Sequence, residues 1–393
     1  MYVPAADELI GDQDDFFARH FNTAPLVRRD ALDHDPRDLL SIADLDEILS
    51  SEAIRPPYLD IAKDGRAVPR SAYTDAVVVQ SEYVADRVLP DRVAALFRAG
   101  ATLTWNSLNH YRPNLRALAG TMSSLFATRC DVIGFLTPAG RRGLAPHYDP
   151  VDVFVVQLEG TKLWRVWPVP HPRRGDDAGN LDETALGTPA VETVLRPGDV
   201  LYIPYNCAHV AKARDTVSLH LSVSVAPRRW GTLLQDIVAD LVAQDPAFWD
   251  NPWLRDPSTA TNLPTMLALL GERLRATDPA TTLQRLAARG TDVDGVTVSH
   301  HLRDAAAVDA IGPDDPLTRT DSVTVEVIEH GKDKVRARIN GGVYSLPTGV
   351  VHALDTLTDG RTRTAATLLA DAPAELSTRT ARTLVRIGVL RAP

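Results

Sequence analysis

Between residues 130 and 227 the chain passes through six short runs rich in β-branched residues: Asp131–Leu136, Val151–Leu158, Leu163–Val169, Val191–Leu195, Val200–Ile203 and Val217–Val225. Turn signals punctuate them, among them Leu158-Glu-Gly-Thr, Arg196-Pro-Gly-Asp and Pro204-Tyr-Asn. Strands this short and this closely spaced cannot bury their apolar faces alone, so they predict a sandwich or barrel of antiparallel sheet. The polar segment 171–190 reads as a long loop within it.

The flanks have a different period. Asp14-Asp-Phe-Phe-Ala-Arg-His-Phe places apolar residues on one helical stripe, and Ser41 stands as an N-cap before Ile-Ala-Asp-Leu-Asp-Glu-Ile-Leu. Pro90–Ala99 and Pro113–Ala127 predict helices on either side of a strand near 101–106. Arg55-Pro-Pro-Tyr and KDGRAVPRSAYT read as loop or edge strand. Beyond Trp230, helices are expected over Leu233–Ala243, Leu263–Arg275 and Ala280–Arg289. After the Gly-Pro-Asp-Asp-Pro linker at 312–316, strands are expected at Ser322–Ile328, Lys334–Ile339 and Val343–Leu346, and helices near 347–357, 363–370 and 375–387. The expected division is 1–228, 229–310 and 311–393.

Charge and cysteine content narrow the function classes. With 42 basic and 51 acidic residues the net charge is −9, which opposes whole-surface binding to nucleic acid or anionic membrane. The last unit, 311–393, holds 11 Lys/Arg and 10 Asp/Glu, without the basic excess of a DNA-binding wing. Two cysteines, Cys130 and Cys207, suit neither a disulfide framework nor a four-cysteine zinc site. The acidic start MYVPAADELIGDQDDFF lacks the basic segment and apolar run of a signal peptide, and no window approaches 18 unbroken apolar residues. A cytoplasmic protein is expected.

The chemistry is concentrated in Ala145-Pro-His-Tyr-Asp-Pro and in Arg196-Pro-Gly-Asp-Val-Leu-Tyr-Ile-Pro-Tyr-Asn-Cys-Ala-His. Residues two apart on a strand share a face, so His147 and Asp149 point together into the barrel, and His209 arrives from another strand. Two imidazoles and one carboxylate on one face of a divalent metal leave the remaining positions open, the donor set of non-haem Fe(II) oxygenases. Lys162, just past the Leu158-Glu-Gly-Thr turn, is placed to hold the distal carboxylate of 2-oxoglutarate. Burying a lone lysine is otherwise costly.

These motifs carry a resemblance. Residues 1 to about 228, above all FLTPAG…GLAPHYDPVDVFVVQLEGTKLWRVW, RPGDVLYIPYNCAHVA and SLHLSVSVAPRRWGTLL, resemble the JmjC-type cupin oxygenases, specifically the ribosomal oxygenase branch. The resemblance implies an α+β fold: a double-stranded β-helix (jelly-roll) barrel with N-terminal helices, a helical dimerisation region, and a C-terminal winged-helix-like unit. It implies His147, Asp149 and His209 as iron ligands and Lys162 as the anchor of 2-oxoglutarate, with O2 as the oxidant. The expected function is hydroxylation of a side-chain carbon in a protein or peptide, such as a His or Arg of a ribosomal protein, by a homodimer. Ile133 and Phe135 stand where the family carries an Asn and a Tyr, which leaves open a hydroxylase that tailors a peptide natural product. A third reading is a metal-binding cupin or winged-helix sensor without turnover.

Other residues carry weaker expectations. Ser222 or Ser224, on the last barrel strand, is expected to touch the co-substrate beside Phe135. His220 is read as supporting the site or as core, and Cys207 as a buried structural thiol. Trp164 and Trp167 should face opposite sides of their strand as packing residues. Arg141 and Arg142 leave two readings, contact with an acidic substrate or simple solvation. His300 and His301 read as surface histidines.

Overall fold

A computed structural model describes residues 2–51, 53–171, 179–290, 301–320, 325–339, 342–355, 363–369 and 372–391. The chain divides into two compact units, Met1–Ala287 and Ala288–Pro393.

The first unit opens with helices α1 (Ala6–Ile10) and α2 (Gln13–Arg19), followed by strand β1 (Leu26–Arg28) and helix α3 (Ile42–Ser50). The α3 start is the expected one. Ser41 accepts from the backbone N–H of Asp44, and the Asp44 carboxylate reaches back to the Ser41 N–H, so both orphan donors are satisfied. The chain continues through β2 (Leu59–Lys63), β3 (Arg66–Ala67), β4 (Thr74–Val79), β5 (Glu82–Val88), α4 (Pro90–Arg98), β6 (Thr102–Trp105) and α5 (Pro113–Phe126). Pro90 and Pro113 occupy the first turns of α4 and α5, where the missing N–H costs nothing.

The barrel strands follow: β7 (Cys130–Thr137), β8 (His147–Tyr148), β9 (Asp152–Glu159), β10 (Lys162–Val166), β11 (Gly179–Asn180), β12 (Val191–Leu195), β13 (Val200–Ile203), β14 (His209–Ala213) and β15 (Ser218–Val225). They form two antiparallel sheets. The larger runs β1-β13-β9-β15-β7-β6-β2-β3 and the smaller runs β11-β8-β14-β10-β12.

Strand alternation decides what each face does. β15 pairs with β7 on one side and β9 on the other, so Ser222 aligns with Ile133 and Val155, and Ser224 with Asp131 and Val153. The alternate residues Val132, Leu136, Phe154, Val156, Leu221 and Val223 turn outward into a core shared with Leu115, Leu118 and Met122 of α5. Val153, Val155, Leu201 and Ile203 instead meet Trp164, Val166 and Leu195 of the smaller sheet. Each fully buried Val or Leu contributes roughly 1.5–3 kcal/mol relative to exposure.

The turn between β9 and β10 fixes where Lys162 begins. Gly160 has φ +65°, and a Cβ there would stand 1.9 Å from the carbonyl oxygen of Val217. Gly160→Ala therefore costs at least about 2 kcal/mol. Gly65→Ala, at φ +77° but with 3.4 Å of clearance, costs about half as much. Chemical denaturation of the two variants checks the order.

Helices α6 (Trp230–Gln244), α7 (Pro257–Ala276) and α8 (Pro279–Gly290) follow the barrel, as the sequence predicts. No helix among the described residues is long and apolar enough to cross a membrane.

The second unit holds α9 (His301–Ala307), β16 (Pro316–Arg319), β17 (Val325–His330), β18 (Lys334–Ile339), β19 (Gly342–Pro347), α10 (Gly349–Asp355), β20 (Arg363–Thr364), α11 (Ala374–Arg386) and β21 (Leu390–Arg391). Two three-stranded sheets, β17-β18-β19 and β20-β16-β21, pack with α10 and α11 around Leu317, Val335, Leu354, Leu384 and Leu390.

Several details differ from expectation. The hairpin β4–β5 went unassigned because its turn, Gln80-Ser81, reaches φ +50° and +68° without a glycine to announce it. The helix expected over 363–370 is a two-residue strand paired with β16 and one tight turn, Ala365–Thr367. The polar 171–190 segment contains β11, which pairs with β8. Residues 172–178 of that segment, 322–324 of the expected strand, 356–357 and 370 of the expected helices, and His300 lie outside the described residues, as does the His301 side chain.

Candidate metal centre

β8 is confined to two residues, with Pro146 before it and Pro150 shortly after. It pairs with β14 at a single register position, His147 opposite His209. Cross-strand partners present their side chains on the same face, and the two imidazole centroids stand 4.3 Å apart. Asp149 completes the group: its Oδ2 lies 3.6 Å from His147 Nε2 and 3.5 Å from His209 Nε2. All three donor atoms fall within 4.8 Å of one another. Bonds of about 2.1 Å at right angles put ligand atoms about 3 Å apart, so one divalent ion fits this face with a small inward adjustment. His209 starts β14; the preceding strand, β13, closes at Ile203 and the Pro204–Ala208 turn carries the chain across.

The imidazoles are oriented so that they could hold a metal ion. His147 Nδ1 lies 2.8 Å from the carbonyl oxygen of Ala145, and His209 Nδ1 lies 3.0 Å from that of Cys207. A carbonyl only accepts, so each Nδ1 donates and each Nε2 keeps its lone pair for the ion. Burial first, and the adjacent His147 imidazole second, hold His209 down to about 4, so it stays neutral. Cys207, as expected, is buried, and its backbone carbonyl serves the site.

A cavity of about 280 Å3 opens from these donors. At its other end sits Lys162, on β10, only 3% exposed. Its Nζ donates to Thr137 Oγ1 at 3.2 Å and to His220 Nδ1 at 3.4 Å. Among the described residues no carboxylate pairs with it, and burial pushes the amine down to about 7. His220 is held in turn by Phe135, whose ring stacks on it at 4.9 Å and 6°. Ser222 lines the cavity, with Phe135 and Ile133 from the adjacent strand.

Trp164 does more than pack. It lines the same cavity, with Lys162 Nζ 5.8 Å from its ring centroid and His209 stacked at 6.2 Å. Trp167 faces a separate cluster and donates to the Gly187 carbonyl at 3.0 Å. Thr137 is the site residue that sequence reasoning missed. It continues the 133, 135, 137 alternation of β7 onto the cavity face, and that period of two was the available signal. Ser224 also reaches the cavity, donating to the Asp131 carbonyl at 3.3 Å.

Comparison with known proteins agrees with this geometry. The JmjC domain family profile matches residues 107–233, a span that includes His147, Asp149, Lys162 and His209. Residues 107–233 form a JmjC domain. The chain is 34% identical over 235 residues to ribosomal oxygenase 1 of Rattus norvegicus, a match covering 57% of this chain and 37% of that protein. The chain thus spans about a third of the length of the curated relatives it matches. The Escherichia coli ycfD structure aligns over 98% of this chain and 99% of its own, with TM-score 0.57 and 20% identity. A structure of that E. coli ribosomal oxygenase in complex with cobalt and 2-oxoglutarate aligns over the same shares, with TM-score 0.52 and 20% identity. The likeness of fold to that E. coli protein therefore covers nearly the whole chain.

Proposed function

We propose that the protein is an Fe(II)- and 2-oxoglutarate-dependent oxygenase that hydroxylates a side-chain carbon of a protein or peptide. The observation that carries this reading is Lys162: a buried amine without a carboxylate partner among the described residues, sharing one cavity with a His-Asp-His donor set. An isolated buried cation is costly, and an anionic co-substrate supplies what it lacks.

Iron with 2-oxoglutarate and O2 supplies oxidation of a C–H bond to C–OH, the co-substrate leaving as succinate and CO2. The chain's part is to hold and to exclude. His147 and His209 offer Nε2 and Asp149 a carboxylate oxygen, while the Ala145 and Cys207 carbonyls keep both rings in the metal-binding tautomer. Lys162 and Thr137 receive the distal carboxylate, with Ser222 and Phe135 lining the same wall. Val153, Val155 and Ile203 keep water from the space between the two ends.

By likeness to ribosomal oxygenases the substrate is a ribosomal protein, with His or Arg as target residue. The same reading takes 1–228 as the catalytic part, 229–310 as an association region and 311–393 as a winged-helix-like unit, in a cytoplasmic protein. Trp230, Leu234, Trp249, Trp253, Leu263 and Leu267 are each more than half exposed, an apolar surface that a second copy would cover. Incubating the iron-loaded protein with 2-oxoglutarate, air and a ribosomal-protein fraction, followed by peptide mass spectrometry, should reveal one tryptic peptide heavier by one oxygen. A fraction left unmodified while a precursor peptide gains oxygen would move the substrate to peptide natural products.

A further inference from the structure

A second cleft lies beside the metal loop. It measures about 390 Å3 and is lined by Asp64, Gly65, Gly140, Arg141, Arg142, Ala145 and Lys212. Three cations face one carboxylate there, in a chain whose net charge is −9. Arg142 is engaged with Glu183 at 2.9 Å, and Glu183 is also held by Arg165. Arg141 and Lys212 have no ion-pair partner among the described residues, and both are exposed.

The fold builds this cluster rather than leaving it to chance surface charge. Arg141 and Lys212 come from different segments: Ala213 N donates to the Arg141 carbonyl at 3.0 Å, and Arg142 forms an isolated antiparallel bridge with Lys212. Gly100 leaves room for the Arg141 arm, since a Cβ there would stand 3.0 Å from Arg141 Nε. The segment 143–145 is the wall between cleft and metal cavity. Gly143 and Leu144 line the cavity, Ala145 lines the cleft, and the Ala145 carbonyl takes the His147 N–H. Lys212 sits on β14, the strand that carries His209.

We propose that this cleft docks an acidic side chain of the peptide substrate close to the residue being oxidised. The proposal rests on the oxygenase reading above and adds a substrate feature to it: an Asp or Glu near the target position. Geometry and charge both favour a peptide over nucleic acid. The cleft offers three cations rather than a basic track, and the remainder of an acidic protein repels a polyanion.

The test measures fluorescence polarisation of a short labelled Glu/Gly peptide with the full chain, beside its Lys/Gly counterpart and an oligothymidylate of equal charge. The double variant Arg141→Ser/Lys212→Ser removes the two unpaired cations. Arg19→Ser/Arg37→Ser removes the same charge at two exposed arginines outside the cleft lining. Two exposed ion pairs together are worth about tenfold. The cleft variant should therefore bind the Glu/Gly peptide about tenfold more weakly, and the remote variant less than about twofold. Equal weakening in both variants, or none in either, overturns the proposal. Tighter binding of oligothymidylate than of the Glu/Gly peptide also overturns it and assigns the cleft to nucleic acid. Co(II) binding, followed by its visible absorption, should be the same in the wild type and the cleft variant. Failure of the wild type to bind Co(II) would count against the metal centre, while the peptide result still judges the cleft.

Discussion

Asp149→Ala is expected to lower turnover of 2-oxoglutarate by at least about a thousandfold while leaving the fold intact. Asp149 is the single anionic donor of the set, so its loss leaves two neutral imidazoles, which bind a divalent ion far more weakly. Its side chain is 32% exposed, so truncation buries no unpaired group and opens no core cavity. The melting temperature of the metal-free protein should therefore move by no more than about 2 °C. Metal content after dialysis, measured beside succinate release, separates this outcome from unfolding. A variant that retains both metal and turnover would remove Asp149 from the site.

Lys162→Met should have a comparably large effect on a different quantity. It removes the cation that the described residues place at the far end of the cavity, and the Kd for 2-oxoglutarate should rise by about a hundredfold or more, with metal binding unchanged. The same change should raise the melting temperature of the ligand-free protein. In the unfolded chain the amine titrates near its usual 10.5, and in the fold it is pushed down to about 7. Between those values the unfolded state binds more protons, so wild-type stability climbs with pH across that window. Below about 7 the buried charge is fully present and its cost is largest, so Lys162→Met stabilises more at pH 6 than at pH 9.

Binding of 2-oxoglutarate follows the opposite slope. A carboxylate needs the protonated amine, so above about pH 7 each bound co-substrate must bring a proton with it. Affinity should fall by up to about tenfold per pH unit above that point, and Lys162→Met should abolish the dependence. The groups facing Lys162 are the Thr137 hydroxyl and His220, and burial together with the Lys162 charge lowers His220 well below its ordinary range. His220 therefore stays neutral across this window, leaving Lys162 as the titrating group. Isothermal titration in buffers of different ionisation enthalpy reads the proton uptake directly.

How far the site could be read from the sequence depended on how local each relation was. His147 and Asp149 lie two apart beside a short strand, and Gly160 marks the turn that sends Lys162 back along β10; both signals sit within a few residues. The pairing of His147 with His209 is a register between strands far apart in sequence, inferred from strand order and fulfilled at one position. The period of two along β7 gave the face of Thr137, but its contact with Lys162 depends on β10 crossing to meet β7, which no local pattern encodes. Trp164 passed for packing because its alternation gave a buried face without saying that the face was a cavity wall. The β4–β5 hairpin went unread because Gln80 and Ser81 adopt positive φ where a sequence reader looks for Asn-Gly. The cleft cations were visible as Arg141-Arg142, but Lys212 joined them only through the folded backbone.

In the proposed function one cavity joins three residues that would hold iron to a lysine that would hold 2-oxoglutarate. The most direct test of that function loads the protein with Fe(II) anaerobically, adds 2-oxoglutarate, admits air and measures succinate, with and without ribosomal proteins, beside His147→Ala. Succinate should form in step with consumed 2-oxoglutarate in the wild type, rise when substrate is present and be absent in His147→Ala. Confirmed iron loading with no succinate from any ribosomal protein or candidate peptide, or equal succinate from His147→Ala, would contradict that function.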